Sequence, residues 1–190
     1  VIVGSIRLVL ASSVLAGLLG VELLWGMGMV GFETLFPPRL AEVLADPERA
    51  AGLLGPVGTA AWLLSAVGSA LVPRLSRRLG AAWTGALLRV VQGGTVLGLA
   101  VFAGPGALIV AYLATMGVHG AANAVHVGIL HANAESSNRT TVLSVNSMAA
   151  QLGGGIGGLA LGATASSAGI VTAIVIGSIL LAAAAPLYLV

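Results

Sequence analysis

The chain has 190 residues, of which 58% are hydrophobic and 7% are charged, with a net charge of +2. Its mean hydropathy is +1.07, whereas an average soluble domain carries about 25% charged residues. These values exclude a water-soluble domain, the absence of cysteine excludes disulfides and thiolate metal sites, and the small charge does not support nucleic-acid binding.

Six apolar, glycine-rich stretches fill nearly the whole chain, and the few charges lie between them. A bilayer core of ~30 Å is crossed by about 20 apolar residues in a helix. We therefore predict an all-α integral membrane protein in which residues 1–190 form a single six-helix domain. The predicted spans are 8–31, 52–72, 81–102, 107–130, 141–163 and 169–189. Charged and apolar residues mix in 38–49, which indicates a short amphipathic helix on the outer surface.

The arginines predict the orientation of the spans in the membrane. If the chain starts inside, five arginines face the cytoplasm and two face outward, as the positive-inside rule requires. Both termini are then cytoplasmic. The inner set is Arg7, Arg74, Arg77, Arg78 and Arg139. The chain begins Val-Ile-Val without a signal-peptide pattern, so we expect it to be part of a longer protein whose N-terminal half is missing.

Glu22 is an ionisable residue inside the first predicted span, about 21 Å from its start. Trp25, Met29 and Glu33 fall on the same helical face. Because intramembrane carboxylates usually mark a pathway or a pairing partner, Glu22 is either a proton or cation site or a structural partner of an arginine or a neighbouring helix. Glu33 lies near the outer boundary, where a solvated gate or cap is expected.

The fourth span carries a polar stripe. Tyr112, Met116, His119, Asn123 and His126 share one face, which favours a wet interior, a substrate-binding surface or a proton relay. Plain interhelical hydrogen bonding is the alternative. A metal site is disfavoured because no acid or cysteine accompanies the histidine spacing.

Arg89 lies inside the third span, roughly 13 Å from its start and too deep to reach the interface easily. We expect a structural ion pair there, with Glu22 as one possible partner. The sixth span contains nothing more polar than Thr172 and Ser178, so we expect it to face lipid.

The fifth span contains glycines four residues apart, a spacing that lets helix backbones approach closely. Ser144, Ser147 and Gln151 extend one glycine face toward the cytoplasm. The predicted helix-packing residues are Gly153, Gly154, Gly157, Gly158 and Gly162.

Several stretches resemble the second half of a major facilitator superfamily transporter, in particular its bacterial drug-efflux members. They are FETLFPPRL at the outer end of the first span, GSALVPRLSRRLG after the second, and NRTTVLSVNSMAAQLGGGIGGLALG leading into the fifth. RVVQGG imitates another motif of the family, but it occurs one helix too early and is interpreted as coincidence. The resemblance implies that spans one, two, four and five line a central cavity and that spans three and six are peripheral.

The resemblance implies a secondary active transporter that works by alternating access, with proton-coupled efflux of a small amphipathic compound. It also implies a bacterial cytoplasmic membrane location, no cofactor and no enzyme activity. Glu22 is the predicted coupling site, and Arg74, Arg77, Arg78 and Arg139 are predicted gating residues of the inner loops. The predicted cavity residues are Glu22, Trp25, Met29, Tyr112, His119, Asn123, His126 and Gln151. A non-transporting scaffold or a self-assembling half-size protein is the alternative, whereas an intramembrane protease is disfavoured because G-x-S-G is absent.

Overall fold

The computed structural model describes residues 12–190, and this part of the chain is helical throughout, without strands. Arg7 and the first residues of the predicted span 8–31 lie outside the described residues. The helices are α1 (Ser13–Glu33), α2 (Phe36–Leu44), α3 (Pro47–Leu79), α4 (Ala81–Val101), α5 (Pro105–Asn133), α6 (Arg139–Ala168) and α7 (Ile170–Ala183), followed by a 3-10 turn at Ala185–Tyr188.

Most helices extend beyond the predicted spans. The second predicted span, 52–72, lies within α3. This helix begins at Pro47 because the side chain of Asp46 caps it by accepting a hydrogen bond of 3.0 Å from the backbone N–H of Arg49. It then continues to Leu79. The amphipathic helix predicted at 38–49 is shorter, because α2 ends where Ala45 adopts a left-handed φ of 51°.

By length and composition, five of the described helical segments are able to cross a membrane. They are Ser13–Leu44, Pro47–Leu79, Ala81–Val101, Pro105–Asn133 and Ile170–Tyr188. The 30-residue α6 is not among them, because serine, threonine, asparagine, glutamine and glycine dilute its apolar side chains. The chain is thus a multi-pass membrane protein, and the sixth span and the orientation of the termini stay predictions.

The helix pairings repeat within the chain. Helix α1 packs most extensively against α6, and α3 packs most extensively against α5. Helix α4 contacts α5 and α7, and α7 also contacts α1. The helices α1, α3 and α4 correspond in order to α5, α6 and α7. When each helix is replaced by its counterpart, the same set of helix contacts is obtained. The bundle is therefore built from two three-helix repeats of opposite direction, an arrangement common among transporters.

The joints within the two repeats are also alike. Gly80 alone connects α3 to α4, and Gly169 alone connects α6 to α7. Their backbone angles are nearly the same, with φ 81° and ψ 156° at Gly80 and φ 91° and ψ 154° at Gly169. This region of φ and ψ is accessible to glycine but not to residues with a Cβ. Glycine is thus needed at both corners.

Glycines also bring the main helix pairs together. A Cβ at Gly157 of α6 would lie 2.6 Å from Cα of Met27, and one at Gly153 would overlap the carbonyl of Leu23. In the other repeat, a Cβ at Gly68 of α3 would overlap the carbonyl of Gly117 on α5. Of the glycines predicted for helix packing, Gly153 and Gly157 therefore face α1. Gly154 is only loosely opposed, and Gly158 and Gly162 face open space.

Candidate functional site

A buried polar cluster joins α1, α5, α6 and the C-terminal turn. Its centre is His126, whose side chain is 1% exposed. His126 Nε2 lies 3.3 Å from Oε2 of Glu22 and 3.1 Å from Oδ1 of Asn146. His126 Nδ1 lies 3.0 Å from the hydroxyl of Tyr188. A single imidazole thus connects four separate segments of the chain.

The partners of His126 distinguish its two ring nitrogens. The carbonyl oxygen of Asn146 only accepts hydrogen bonds, and so does the ionised carboxylate of Glu22. A proton on Nε2 therefore suits both oxygens, with Oδ1 of Asn146 as its hydrogen-bond acceptor and Oε2 of Glu22 within ion-pair distance. In the neutral imidazole, Nδ1 then accepts a hydrogen bond from the Tyr188 hydroxyl. This arrangement holds a movable proton directly against a buried carboxylate.

Arg89 lies next to this cluster, 2% exposed, on α4. Its Nη1 donates a hydrogen bond of 2.8 Å to Oε1 of Gln92. Among the described residues no carboxylate lies within 4.0 Å of the guanidinium, because Glu22 is paired with His126 instead. The charge of Arg89 still acts on Glu22 and His126 through space. It is the positive charge that offsets the carboxylate at a distance.

An aromatic group lies beside the cluster, between α1 and α5. The rings of Trp25 and His119 are stacked with centroids 5.5 Å apart, and Phe32 lies 5.8 Å from His119. Beyond the end of α1, Phe36 at the start of α2 stacks on Tyr112 of α5 with centroids 3.8 Å apart. The predicted cavity residues Trp25, His119 and Tyr112 therefore lie along one line of aromatic contacts. We call this line the aromatic seam; its residues are Trp25, Phe32, Phe36, Tyr112 and His119.

The buried side-chain atoms without a hydrogen-bond partner, among the described residues, are all nitrogens. They are Trp25 Nε1, Arg89 Nε, Gln92 Nε2 and His119 Nδ1. Three of the four are obligate donors. An unpaired buried donor costs about 1–3 kcal/mol, so this region favours a group that brings hydrogen-bond acceptors.

The other predicted cavity residues lie on more open faces. Met29 is half-buried on α1 against the aromatic seam. Asn123 is exposed on α5, and Gln151 is exposed on α6, where its Nε2 donates a weak 3.4 Å hydrogen bond to Ser147. The structure thus separates these positions from the cluster around His126.

The arginines predicted to act at the inner loops are exposed. Arg74, Arg77 and Arg78 lie in the last turns of α3, and Arg139 is the first residue of α6. Among residues 12–190, no three His, Asp or Glu side chains converge as metal ligands would.

Two members of the cluster escaped the sequence analysis. Asn146 lies between Ser144 and Ser147, which were assigned to the polar face of the fifth span. Tyr188 lies in the sixth span, which was expected to face lipid. In the structure Tyr188 is 6% exposed and α7 packs against α1 and α4. A tyrosine and an asparagine within otherwise apolar spans were the available signal.

The overall fold is similar to that of a solved transporter. A crystal structure of a mutant peptide transporter POT in complex with sulfate matches with a TM-score of 0.74 at 15% sequence identity. The match covers 91% of this chain and 36% of the transporter, so the chain spans about a third of that protein's length. Comparison with known protein families finds no match, and comparison with curated proteins finds none either.

At this identity the likeness is one of fold. The chain has the fold of part of a membrane transporter, as the resemblance to the major facilitator superfamily predicts. The similarity to drug-efflux members stays a prediction.

Proposed function

We propose that the chain forms one half of a secondary active transporter that moves small molecules by alternating access, with protons as the coupling ion. The observation that carries this proposal is the contact between Glu22 and His126. It combines an acid and a base, both buried within helices long and apolar enough to cross a membrane. Ionisable groups in such positions are expensive and commonly form proton pathways.

Glu22 is the proposed site of proton binding. In its ionised form, Oε2 of Glu22 lies within ion-pair distance of His126 Nε2, at 3.3 Å, and the more distant charge of Arg89 offsets the carboxylate. When it takes up a proton, the carboxyl group becomes neutral and its attraction to both partners weakens. Since Glu22 lies on α1 and His126 on α5, this change acts on a contact between the two repeats. The coupling of protonation to helix movement follows from that placement.

The aromatic seam is the proposed substrate surface. Trp25 and His119 offer stacked rings and unpaired nitrogens, which suits a planar amphipathic compound that carries hydrogen-bond acceptors. Met29, Tyr112 and Asn123 extend the surface along α1 and α5. We propose Gln151 as a more distant part of the cavity, because it lies on an exposed face of α6.

We propose that a second six-helix half covers the exposed faces of α3 and α6. Trp62 and Leu63 on α3 are 66% and 65% exposed, and Leu159 on α6 is 81% exposed. Helices α3 and α6 occupy equivalent positions in the two repeats, so the two exposed faces are equivalent as well. The match covers only 36% of the transporter, which supports a larger assembly. Export across a bacterial cytoplasmic membrane is the proposed direction and place.

The test is proton-driven transport by the full-length protein in liposomes. A panel of planar amphipathic compounds is offered under a pH gradient, and exchange without a gradient is measured in parallel. Glu22→Gln is expected to abolish gradient-driven accumulation while exchange continues. Glu135→Gln is the control, because Glu135 is exposed between α5 and α6. Unchanged gradient-driven transport in Glu22→Gln would remove Glu22 from the coupling role.

A further inference from the structure

Tyr188 is held rigidly against the proposed proton site. It ends the 3-10 turn Ala185–Tyr188, and its ring meets that of His126 edge-on, with an interplanar angle of 84° and centroids 6.0 Å apart. On its other side the ring lies against α4, where a Cβ at Gly85 would come within 2.8 Å of two ring carbons. The tyrosine therefore has little freedom to leave Nδ1 of His126.

The hydroxyl of Tyr188 has a definite chemical effect on that imidazole. By donating to Nδ1, it favours the tautomer of His126 in which Nε2 carries the proton. The carbonyl of Asn146 favours the same tautomer from the opposite edge of the ring, because it accepts from Nε2 at 3.1 Å. Both partners thus favour an N–H group, and not a lone pair, on the ring edge that faces Asn146 and lies nearest Glu22.

We infer that Tyr188 is a positioning residue that selects the Nε2-protonated tautomer of His126 and thereby places an N–H group on the edge of the ring nearest Glu22. The inference rests on the proposed function only for its consequence in transport. The hydrogen-bond geometry itself does not depend on any substrate. The C-terminal turn thus takes part in proton binding, although it lies outside the four helices expected to line the cavity.

The effect of losing the hydroxyl follows from the same geometry. In Tyr188→Phe, Nδ1 has no donor facing it, and the imidazole can carry its proton on Nδ1. The bare Nε2 then repels a carboxylate but accepts a hydrogen bond from a protonated Glu22. The charged and titratable groups that face His126 are Glu22 from α1, Arg89 from α4 and Tyr188 from the turn, whereas α6 contributes only the neutral Asn146.

The experiment uses the full-length protein in lipid bilayers, labelled with 15N in its histidine rings. His126→Gln assigns the signals of His126, and their shifts report which ring nitrogen carries the proton. In the unaltered protein we expect a protonated Nε2 and a bare Nδ1. In Tyr188→Phe we expect both tautomers. Tyr112→Phe is the matched control, because its ring stacks on Phe36 and no described contact links it to His126.

A second measurement follows the carboxyl absorption of Glu22 in infrared spectra, assigned by its loss in Glu22→Gln. The position or shape of this band should change in Tyr188→Phe, because the ring nitrogen nearest the carboxyl group then carries its proton in only part of the molecules. Gly85→Ala keeps the hydroxyl but displaces the ring, and it should change the histidine spectrum in the same direction. This variant separates positioning from a general loss of structure.

The outcomes separate the two proposals. If Tyr188→Phe leaves the histidine spectrum unchanged, the positioning role is overturned, whatever Glu22→Gln does to transport. If Tyr188→Phe changes both spectra while Glu22→Gln transports normally, Tyr188 keeps its role and the coupling function of Glu22 fails.

Discussion

Oε2 of Glu22 and Nε2 of His126 lie 3.3 Å apart, and this contact joins helices that begin the two inverted repeats of the fold. Glu22 is 8% exposed and His126 is 1% exposed, so neither group is freely solvated. A pair of this kind is sensitive to the protonation of either member, because the low local dielectric strengthens the interaction. The following predictions use this contact and the features that support it.

Replacing His126 by glutamine should lower both stability and coupled transport. Glutamine cannot bind and release a proton, and it cannot satisfy Glu22, Asn146 and Tyr188 together. We expect the unfolding free energy to fall by about 1–3 kcal/mol, the cost of leaving a buried polar partner unpaired, and gradient-driven transport to be lost. Thermal unfolding in detergent and transport in liposomes measure the two effects. His131→Gln, in the exposed last turn of α5, should change neither.

Replacing Trp25 by phenylalanine should weaken the binding of acceptor-bearing compounds selectively. The variant keeps a stacking ring but loses the unpaired Nε1 donor. Affinity for an aromatic amide should fall by about 2- to 10-fold, the effect of one hydrogen bond. Affinity for an isosteric aromatic alkene should stay the same. Equilibrium binding to the full-length protein tests this, with Trp83→Phe as control, because Trp83 is 64% exposed on α4 and away from the seam. Equal losses for both compounds would contradict the donor role.

Alanine at Gly157 should separate α1 from α6. Its Cβ would lie 2.5 Å from the carbonyl oxygen of Met27, and backbone cannot yield as a side-chain tip can. We expect a loss of about 1–3 kcal/mol, as in other overpacked interiors, seen as a lower unfolding temperature in detergent. Gly94→Ala on α4, which faces open space, should be neutral or stabilising. Equal stability of the two variants would show that the helices do not rely on this close approach.

The two corner glycines should respond alike to substitution. Gly80→Ala and Gly169→Ala each place a Cβ on a residue with positive φ, 81° and 91° respectively. We expect each to cost about 1–3 kcal/mol and the double variant to show the sum, because the corners belong to different repeats. Thermal unfolding of the single and double variants measures this. A large effect at one corner and none at the other would argue against equivalent repeats.

The sequence predicts the fold well where the signal is local. Apolar runs mark the helices, and the third span, 81–102, differs from α4 by a single residue at its end. Helix ends depend on capping, so the start of α3 at Pro47 needed recognition of Asp46 as its cap. The pairing of α1 with α6 depends on which of the two glycine faces of α6 packs against α1. Spacing alone does not distinguish Gly157 from Gly158.

The site was predictable only in part, for the same physical reason. Glu22 and His126 are conspicuous because charge and imidazole are rare inside apolar helices. The direct contact between Glu22 and His126 was not predictable, because it depends on how α1 and α5 are rotated about their own axes. Tyr188 carried no charge to attract attention, and its role depends on a one-turn helix folding back over α4. Arg89 was given Glu22 as a possible partner, whereas Gln92, one turn away, accepts its hydrogen bond.

The contact between Glu22 and His126 makes the two repeats chemically different. The first helices of the two repeats, α1 and α5, hold equivalent places in the contact pattern of the bundle. Here one copy carries an acid and the other a base, and they meet where the copies touch. A symmetric scaffold would hold two acids that repel or two bases that compete. Because the two repeats differ at this one junction, the proposed binding of a proton by Glu22 would change α1 and α5 unequally.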